Sequence, residues 1–200
     1  MSNPHGDVGA AALTASHDPA SDDAGLLRRI VQGDEDAMAA FYREHRQVVF
    51  AQVLLVVGER VLAEEIVQDT MLGVWRGAGS FRGESSVRSW VIAIARRQTR
   101  DRLRGRRLRV VDDSFLADQS GSGPGPEVMA LDRAELAEVR GAIRDLAPGH
   151  REVLGLVFGS GLSLSEVGDV LEIPVGTVKS RLAAARTALN RTLDEKGQNR

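Results

Sequence analysis

The chain has 200 residues, with 26 Lys and Arg residues nearly balanced by 28 Asp and Glu residues, and it contains no cysteine. This composition is typical of a soluble globular protein of one or two domains, and it excludes disulfides and thiolate metal sites. No apolar run approaches the ~18 residues of a membrane span, and no two of the four histidines have an i, i+4 spacing. We therefore expect a cytoplasmic protein with no metal, no cofactor and no membrane insertion.

Residues 1–24 are rich in Ala, Ser, Asp and Gly and show no hydrophobic periodicity. Such a segment cannot bury enough apolar surface to fold, so we predict a disordered N-terminal tail. The segment also lacks the basic start and the apolar core of a secretory signal.

Residues 25–109 are predicted to form a helical module. Its first long helix has acidic residues near its start, and a helical spacing relates Met38, Phe41, Tyr42, His45 and Val49. We expect His45 at the edge of the core or on the surface. A second helix, over residues 60–77, has a predicted buried face made of Leu62, Ile66, Val67, Met71, Val74 and Trp75.

The opposite face of this second helix carries an acidic stripe with one apolar residue. Glu65, Gln68, Asp69 and Leu72 lie at positions i, i+3, i+4 and i+7, so they share one side of the helix. An acidic stripe of this kind suits a basic helical protein partner, although a merely solvated face has the same pattern.

The end of the first module is strongly basic. Between Arg82 and Arg109 there are ten arginines and only two acidic residues. This concentration of charge favours a polyanion partner, with a solvated arginine-rich face as the alternative. The preceding loop, "SFRGESSVRSW", places Phe81 and Trp90 beside the arginines, an arrangement that suits tracking of single-stranded DNA. We assign Trp90 a structural role and expect the loop and the arginines to bind.

Residues 110–126 form an acidic Gly/Ser/Pro-rich linker, and residues 127–193 read as a second helical module followed by a C-terminal tail, 194–200. No alternating strand pattern of any length occurs. We therefore predict an all-α fold of two helical modules joined by a flexible acidic linker.

The second module contains a helix-turn-helix pattern. Ser163 and Glu166 have the spacing of a capping box, and Pro174 stops the helix that ends near Leu171. A following helix over 175–193 completes the unit. In such units the first turns of the second helix read base edges in the major groove. The candidate DNA-binding residues there are Thr177, Lys179, Ser180, Arg181 and Arg186. Val178 and Leu182 are expected to point into the core.

Three stretches of the sequence resemble the bacterial RNA polymerase sigma factors of the ECF (extracytoplasmic function) class. "AEEIVQDTMLGVWR" resembles the core-binding helix of region two, and "SFRGESSVRSWVIAIARRQTRDRLR" resembles the promoter-melting segment that follows it. The most specific likeness is "LAPGHREVLGLVFGSGLSLSEVGDVLEIPVGTVKSRLAAAR", which resembles region four. Ala183 and Ala184 differ from the larger side chains that relatives often carry, and Glu172 stands where glycine is common.

The resemblance implies a promoter-specificity subunit without enzymatic activity, whose partners are core RNA polymerase, promoter DNA and an anti-sigma factor. Glu65, Gln68, Asp69 and Leu72 would dock on the coiled coil of the largest polymerase subunit, and the second module would meet the flap region. The helix-turn-helix residues would read the minus-thirty-five element. The residues implied to open and hold the minus-ten element are Arg82, Ser85, Arg88, Arg96, Arg97, Arg100 and Arg104.

Two other classes of protein remain open on the sequence. A helix-turn-helix repressor or activator would bind DNA without acting as a polymerase subunit. A structural or adaptor protein would show no salt-sensitive affinity for promoter DNA. An enzyme is disfavoured because the sequence has no phosphate-binding glycine loop and no nucleophile–base arrangement.

Overall fold

A computed structural model of the chain describes residues 19–112, 139 and 141–197. Every regular element within these residues is helical, so the predicted all-α class is confirmed. The α-helices are α1 (Pro19–Val31), α2 (Glu35–Val57), α3 (Arg60–Gly77), α4 (Val87–Asp112), α5 (Pro148–Leu154), α6 (Leu164–Leu171) and α7 (Val175–Gly197). A 3-10 turn covers Ala78–Ser80, a π-helical segment covers Gly155–Gly159, and residues 141–145 are also helical.

The ends of α2 follow from local chemistry. The side chain of Asp34 accepts a hydrogen bond from the Ala37 N–H at 2.9 Å, which satisfies one of the free donors of the first turn. At the other end Gly58 adopts a left-handed conformation, with φ 73°, and its N–H donates to the Leu54 carbonyl. The turn after Gly58 returns the chain as α3 against α2.

The first module, α1 to α4, packs around a core in which Phe41, Ile66, Val74 and Ile92 are fully buried. His45 belongs to this core, not to its edge as the sequence predicted. Its Nε2 lies 3.1 Å from an Asp23 carboxylate oxygen of α1, and its ring contacts Phe41 with 4.2 Å between centroids. The polar contact with Asp23 makes burial of the imidazole acceptable and ties α1 to α2.

Three further sequence predictions differ from the structure. Residues 19–24, assigned to the disordered tail, belong to α1, while residues 1–18 lie outside the described part of the chain. Trp75, predicted to be buried, is 37% exposed at the rim of a groove. The helix α4 extends to Asp112, so it includes the first residues of the predicted linker. Residues 113–138, 140 and 198–200 also lie outside the described residues.

The described part of the second module consists of residues 139 and 141–197, which include α5, α6 and α7. Pro148 stands in the first turn of α5, where a backbone N–H has no acceptor within the helix. The missing N–H of proline therefore costs no helical hydrogen bond. The Ser163–Glu166 capping box of α6 is confirmed, because each residue's side chain bonds the other's backbone N–H. These features fix the start of the helix-turn-helix.

The two modules share one continuous core, and Gly155 lies where the second module packs against α2. A Cβ at Gly155 would stand 2.4 Å from Leu55 Cδ2 and 2.8 Å from Gln52 Oε1, both on α2. Such distances are far below van der Waals contact, so a side chain here would force the ends of the Leu55 and Gln52 side chains to move. Glycine therefore allows this contact without any rearrangement of α2.

Within the described residues, no helix combines the length and apolar character needed to cross a membrane. The same residues contain no group of three His, Asp or Glu side chains placed to hold a metal ion.

Candidate nucleic-acid and protein interfaces

A tight turn sets the direction of α7. Glu172 ends α6 in the left-handed conformation, with φ 59° and ψ 43°. The Ile173 N–H then donates to the Gly168 carbonyl at 3.0 Å, which satisfies a terminal carbonyl of α6. A Cβ at Gly168 would lie only 3.0 Å from the Ile173 oxygen, so glycine lets the turn fold back closely on α6. The second helix of the helix-turn-helix then begins at Val175.

One face of α7 is buried and the opposite face is open. Val178, Leu182 and Ala185 belong to the core, as the sequence predicted for the first two. Lys179 and Ser180 are exposed and Thr177 is half-buried. The Ser180 hydroxyl donates to the Thr177 carbonyl at 3.0 Å, which holds it against its own helix and leaves its lone pairs to accept.

The two predicted arginines of α7 contact other parts of the module. Arg181 is half-buried, and its Nη1 lies 3.6 Å from the position that a Cβ of Gly149 would take. The Arg186 guanidinium lies over the Phe158 ring, 5.4 Å from the centroid, and Phe158 is 61% exposed. The structure therefore groups Thr177, Lys179 and Ser180 at the start of α7 and places Arg181 and Arg186 against neighbours.

The loop before α4 has its own anchors. The Phe81 and Trp90 rings contact each other with 5.5 Å between centroids, which supports the structural role given to Trp90. The Ser86 hydroxyl accepts a hydrogen bond from the Ser89 N–H at 3.1 Å in the first turn of α4. Arg82 is exposed and Ser85 is half-buried on this loop.

The predicted minus-ten arginines of α4 divide into two groups. Arg97 and Arg104 are exposed. Arg88, Arg96 and Arg100 instead face the second module. Their contacts are Arg88 Nη1 to the Ser160 carbonyl at 3.5 Å, Arg96 Nε to Glu152 Oε1 at 2.9 Å, and Arg100 Nη2 to Glu172 Oε1 at 3.3 Å.

Glu166 links the same two modules at the loop. Its carboxylate accepts hydrogen bonds from the Ser86 hydroxyl of the first module and from Ser163 of its own capping box. Burial raises the pKa of Glu166, but the hydrogen bonds from Ser86 and Ser163 outweigh it and hold that pKa below its ordinary value. None of these contacts between modules could be read from the sequence.

The acidic stripe of α3 lies on one accessible face, as predicted, with Leu72 half exposed. A residue that the sequence did not single out lies on this face. Arg102 of α4 donates from Nη1 to Glu65 Oε2 at 3.0 Å and from Nη2 to Asp69 Oδ2. The hydrogen bond and the charge of Asp69 raise the pKa of Arg102 above its ordinary value. One guanidinium therefore bridges both carboxylates of the stripe.

An open groove between α2 and α3 continues the stripe. Gln68 and Leu72 belong to both surfaces. The groove has an apolar floor, made of Met38, Tyr42, Met71, Leu72 and Trp75. Sequence reasoning missed this surface because it counted Trp75 as core, although the i, i+4 pair Met38 and Tyr42 marks the same face of α2. The arrangement offers an apolar groove with an acidic edge.

Family models match both modules. The Sigma-70 region 2 model matches residues 41–109, and the Sigma-70 region 4 model matches residues 142–191. The ECF RNA polymerase sigma factor SigL of Mycobacterium tuberculosis (strain H37Rv) is 36% identical over 169 residues, 82% of this chain and 92% of that protein. The ECF RNA polymerase sigma factor SigK of Mycolicibacterium vanbaalenii is 32% identical over 172 residues, 84% of this chain and 87% of that protein.

Two solved structures have similar folds. The sigma factor RpoE in complex with the anti-sigma factor NepR from Bartonella quintana has a TM-score of 0.67 and 25% identity, covering 76% of this chain and 94% of that chain. CnrH in complex with the cytosolic domain of CnrY has a TM-score of 0.64 and 24% identity, covering 86% of this chain and 97% of that chain.

Proposed function

This chain belongs to the ECF class of RNA polymerase sigma factors in the sigma-70 family, and on that premise we propose which of its surfaces carry out the sigma function. It binds core polymerase and directs initiation at specific promoters. One observation carries the assignment of surfaces: an acidic and apolar face on α3, a basic α4 and a helix-turn-helix occur together in one chain. A promoter-specificity subunit needs all three.

The polymerase-binding surface is the acidic stripe together with the α2–α3 groove. Leu72 is 50% exposed and Trp75 lies beside it, so an apolar side chain of the partner would gain burial there. Glu65 and Asp69 stand at the edge, where they suit a basic helix such as the largest-subunit coiled coil. The exposed Phe158 on the other module is the corresponding apolar anchor for the flap region.

The DNA-binding surfaces lie on α4 and α7. Arg82, Arg97 and Arg104 are exposed along the loop and helix that would hold the minus-ten element. Thr177, Lys179 and Ser180 face outward at the start of α7 and would read the minus-thirty-five element. Ala183 and Ala184 are exposed on the same helix, so base reading rests on few side chains.

The two promoter elements are about 25 base pairs apart, or ~85 Å along the duplex at ~3.4 Å per base pair. A compact unit of about 150 residues has a radius of gyration of about 15 Å. The packed modules therefore cannot reach both elements at once, and we propose that they separate on polymerase. Separation frees Arg96 and Arg100 from Glu152 and Glu172 for DNA.

We further propose that an anti-sigma factor holds the chain in an inactive state, because the similar RpoE structure is a complex with one. The chain has no enzymatic activity of its own. It acts in the cytoplasm and associates with the nucleoid when bound to polymerase.

Transcription in vitro tests the function. Core polymerase is supplied with a genomic promoter library, with and without the purified chain, and the start sites are mapped. We expect start sites that depend on the chain. Asp69→Arg should abolish them, while the isolated variant still binds promoter DNA. If no start site depends on the chain although it binds DNA, it is a helix-turn-helix regulator that does not act as a sigma subunit.

A further inference from the structure

Arg102 joins two surfaces that the proposed function keeps separate. It belongs to α4, the basic helix assigned to promoter DNA, yet its guanidinium is bonded to Glu65 and Asp69 of the polymerase-binding stripe on α3. The side chain is 43% exposed and both carboxylates remain accessible to solvent. A partner that approaches the stripe therefore meets the guanidinium together with the carboxylates.

We propose that Arg102 is an internal counter-ion that competes with polymerase for Glu65 and Asp69, and that polymerase binding releases it towards promoter DNA. The proposal rests on the assignment of the stripe to polymerase. It makes Arg102 a positioning residue that couples polymerase binding to DNA binding.

Charge gives the first part of the argument. The stripe carries two carboxylates, and Arg102 reduces their combined charge from −2 to −1. A basic partner must displace the guanidinium or share the carboxylates with it, and either weakens its attraction to the stripe. The groups are partly exposed and therefore screened, so the competition is modest and depends on salt.

Position gives the second part. Arg97 and Arg104 are exposed within about two turns of Arg102 along the same helix, although on a different side of it. Cations of the partner that pair with both Glu65 and Asp69 leave the donors of the Arg102 guanidinium unused. A freed guanidinium adds one phosphate-binding group to α4. By linkage, DNA that binds Arg102 also favours polymerase at the stripe.

Binding of core polymerase to Arg102→Gln tests the first part, in the absence of DNA and at several salt concentrations. We expect about two- to fivefold tighter binding than wild type at low salt, with a smaller difference at high salt. Arg28→Gln, which removes an exposed arginine of α1, makes the same change in net charge and should leave the affinity near wild type. Arg102→Lys should restore most of the wild-type affinity. Equal or weaker binding by Arg102→Gln overturns the proposal.

Promoter binding by the assembled holoenzyme tests the second part. Arg102→Gln should reduce promoter affinity and lower the slope of log K against log salt by about 0.7–0.9, the value for one phosphate contact. The proposal predicts that Arg102→Gln binds polymerase more tightly and DNA more weakly. Partial unfolding of the variant would weaken both interactions, so the two explanations can be told apart. An unchanged salt slope contradicts the release of Arg102 towards DNA.

Asp69→Asn distinguishes this inference from the proposed function. If Asp69→Asn weakens polymerase binding and Arg102→Gln fails to strengthen it, Arg102 is not a competitor and the stripe remains the polymerase site. If Asp69→Asn has no effect on polymerase affinity, the stripe itself is wrongly assigned and both proposals fail. In the double variant, the gain from Arg102→Gln should shrink.

Discussion

The carboxylate of Glu172 lies 3.3 Å from Nη2 of Arg100, and Glu172 adopts a left-handed backbone conformation with φ 59°. Among the described residues it is the only residue other than glycine with a positive φ. The turn of the helix-turn-helix thus contains a side chain that reaches the basic helix of the other module. Glycine would satisfy the turn but could not make this contact.

Replacing Glu172 separates these two roles. Glu172→Gly should remove the steric cost of the left-handed conformation and raise the free energy of unfolding by up to about 1 kcal/mol. Glu172→Gln keeps the Cβ and loses the charge, so it should show no such gain. Chemical denaturation of the two variants measures the difference. A lower stability for Glu172→Gly would mean that the ion pair with Arg100 outweighs the backbone strain.

Gly155 permits the close contact between the modules, and a side chain there should separate them. Gly155→Val would overlap Leu55 and Gln52 of α2. We expect a larger radius of gyration by small-angle scattering, with helical content retained. Gly159→Ala is the matched control, because no atom lies within 4 Å of its added Cβ. An unchanged radius for Gly155→Val would show that α2 can yield at this contact.

The half-buried ion pair of Arg96 and Glu152 should restrain DNA binding by the free chain. Glu152→Gln removes the nearer charged partner of Arg96 and leaves only Glu172, 4.0 Å from Nη1, so affinity for single-stranded DNA should rise. It should also lower the free energy of unfolding by about 1–3 kcal/mol, the cost of losing a charged hydrogen bond. Fluorescence anisotropy and denaturation measure the two effects. Weaker DNA binding by a folded Glu152→Gln protein would contradict the restraint.

Lys179 and Arg181 should respond differently to replacement by alanine. Lys179 is exposed, so Lys179→Ala should weaken minus-thirty-five recognition by about 1–3 kcal/mol and leave thermal stability unchanged. Arg181 packs against Gly149, so Arg181→Ala should also lower the melting temperature. Promoter binding and thermal unfolding are measured on both variants. An unchanged promoter preference for Lys179→Ala would remove it from the base-reading set.

Glu166 should make the contact between modules sensitive to acid. Its pKa lies below the ordinary value of 4.5, because hydrogen bonds from Ser86 and Ser163 overcome the effect of burial. Its contribution to stability is therefore complete above about pH 4.5 and is lost as the pH falls through the lower folded pKa. Glu166→Gln should show a smaller loss of stability across this range. The free energy of unfolding of wild type and Glu166→Gln is measured at decreasing pH. An equal loss of stability in the two proteins would contradict this role of Glu166.

The sequence predicted features that depend on nearby residues. The Ser163–Glu166 capping box and the inward direction of Val178 and Leu182 follow from spacings of three or four residues, and all are confirmed. The prediction that Trp75 is buried was wrong. Its spacing is that of a core residue, but a groove at the rim of the core exposes one side of its ring.

The contacts between modules could not be predicted in this way. Arg96 and Glu152 are 56 residues apart, and Ser86 and Glu166 are 80 apart, so no periodicity relates the members of either pair. The bridge from Arg102 to the acidic stripe depends on how α4 crosses α3, which only the packed structure reveals. Which arginines are free for DNA is therefore a property of tertiary structure.

The ion pairs of α4 also affect how the free protein competes for chromosomal DNA. Arg96, Arg100 and Arg102 each have an acidic partner within the chain, so the helix presents less positive charge than its arginines suggest. Because a genome offers about 10⁶–10⁹ non-specific sites, even weak affinity for them would sequester a scarce protein. We therefore expect this internal neutralisation to weaken non-specific DNA binding by the unbound protein.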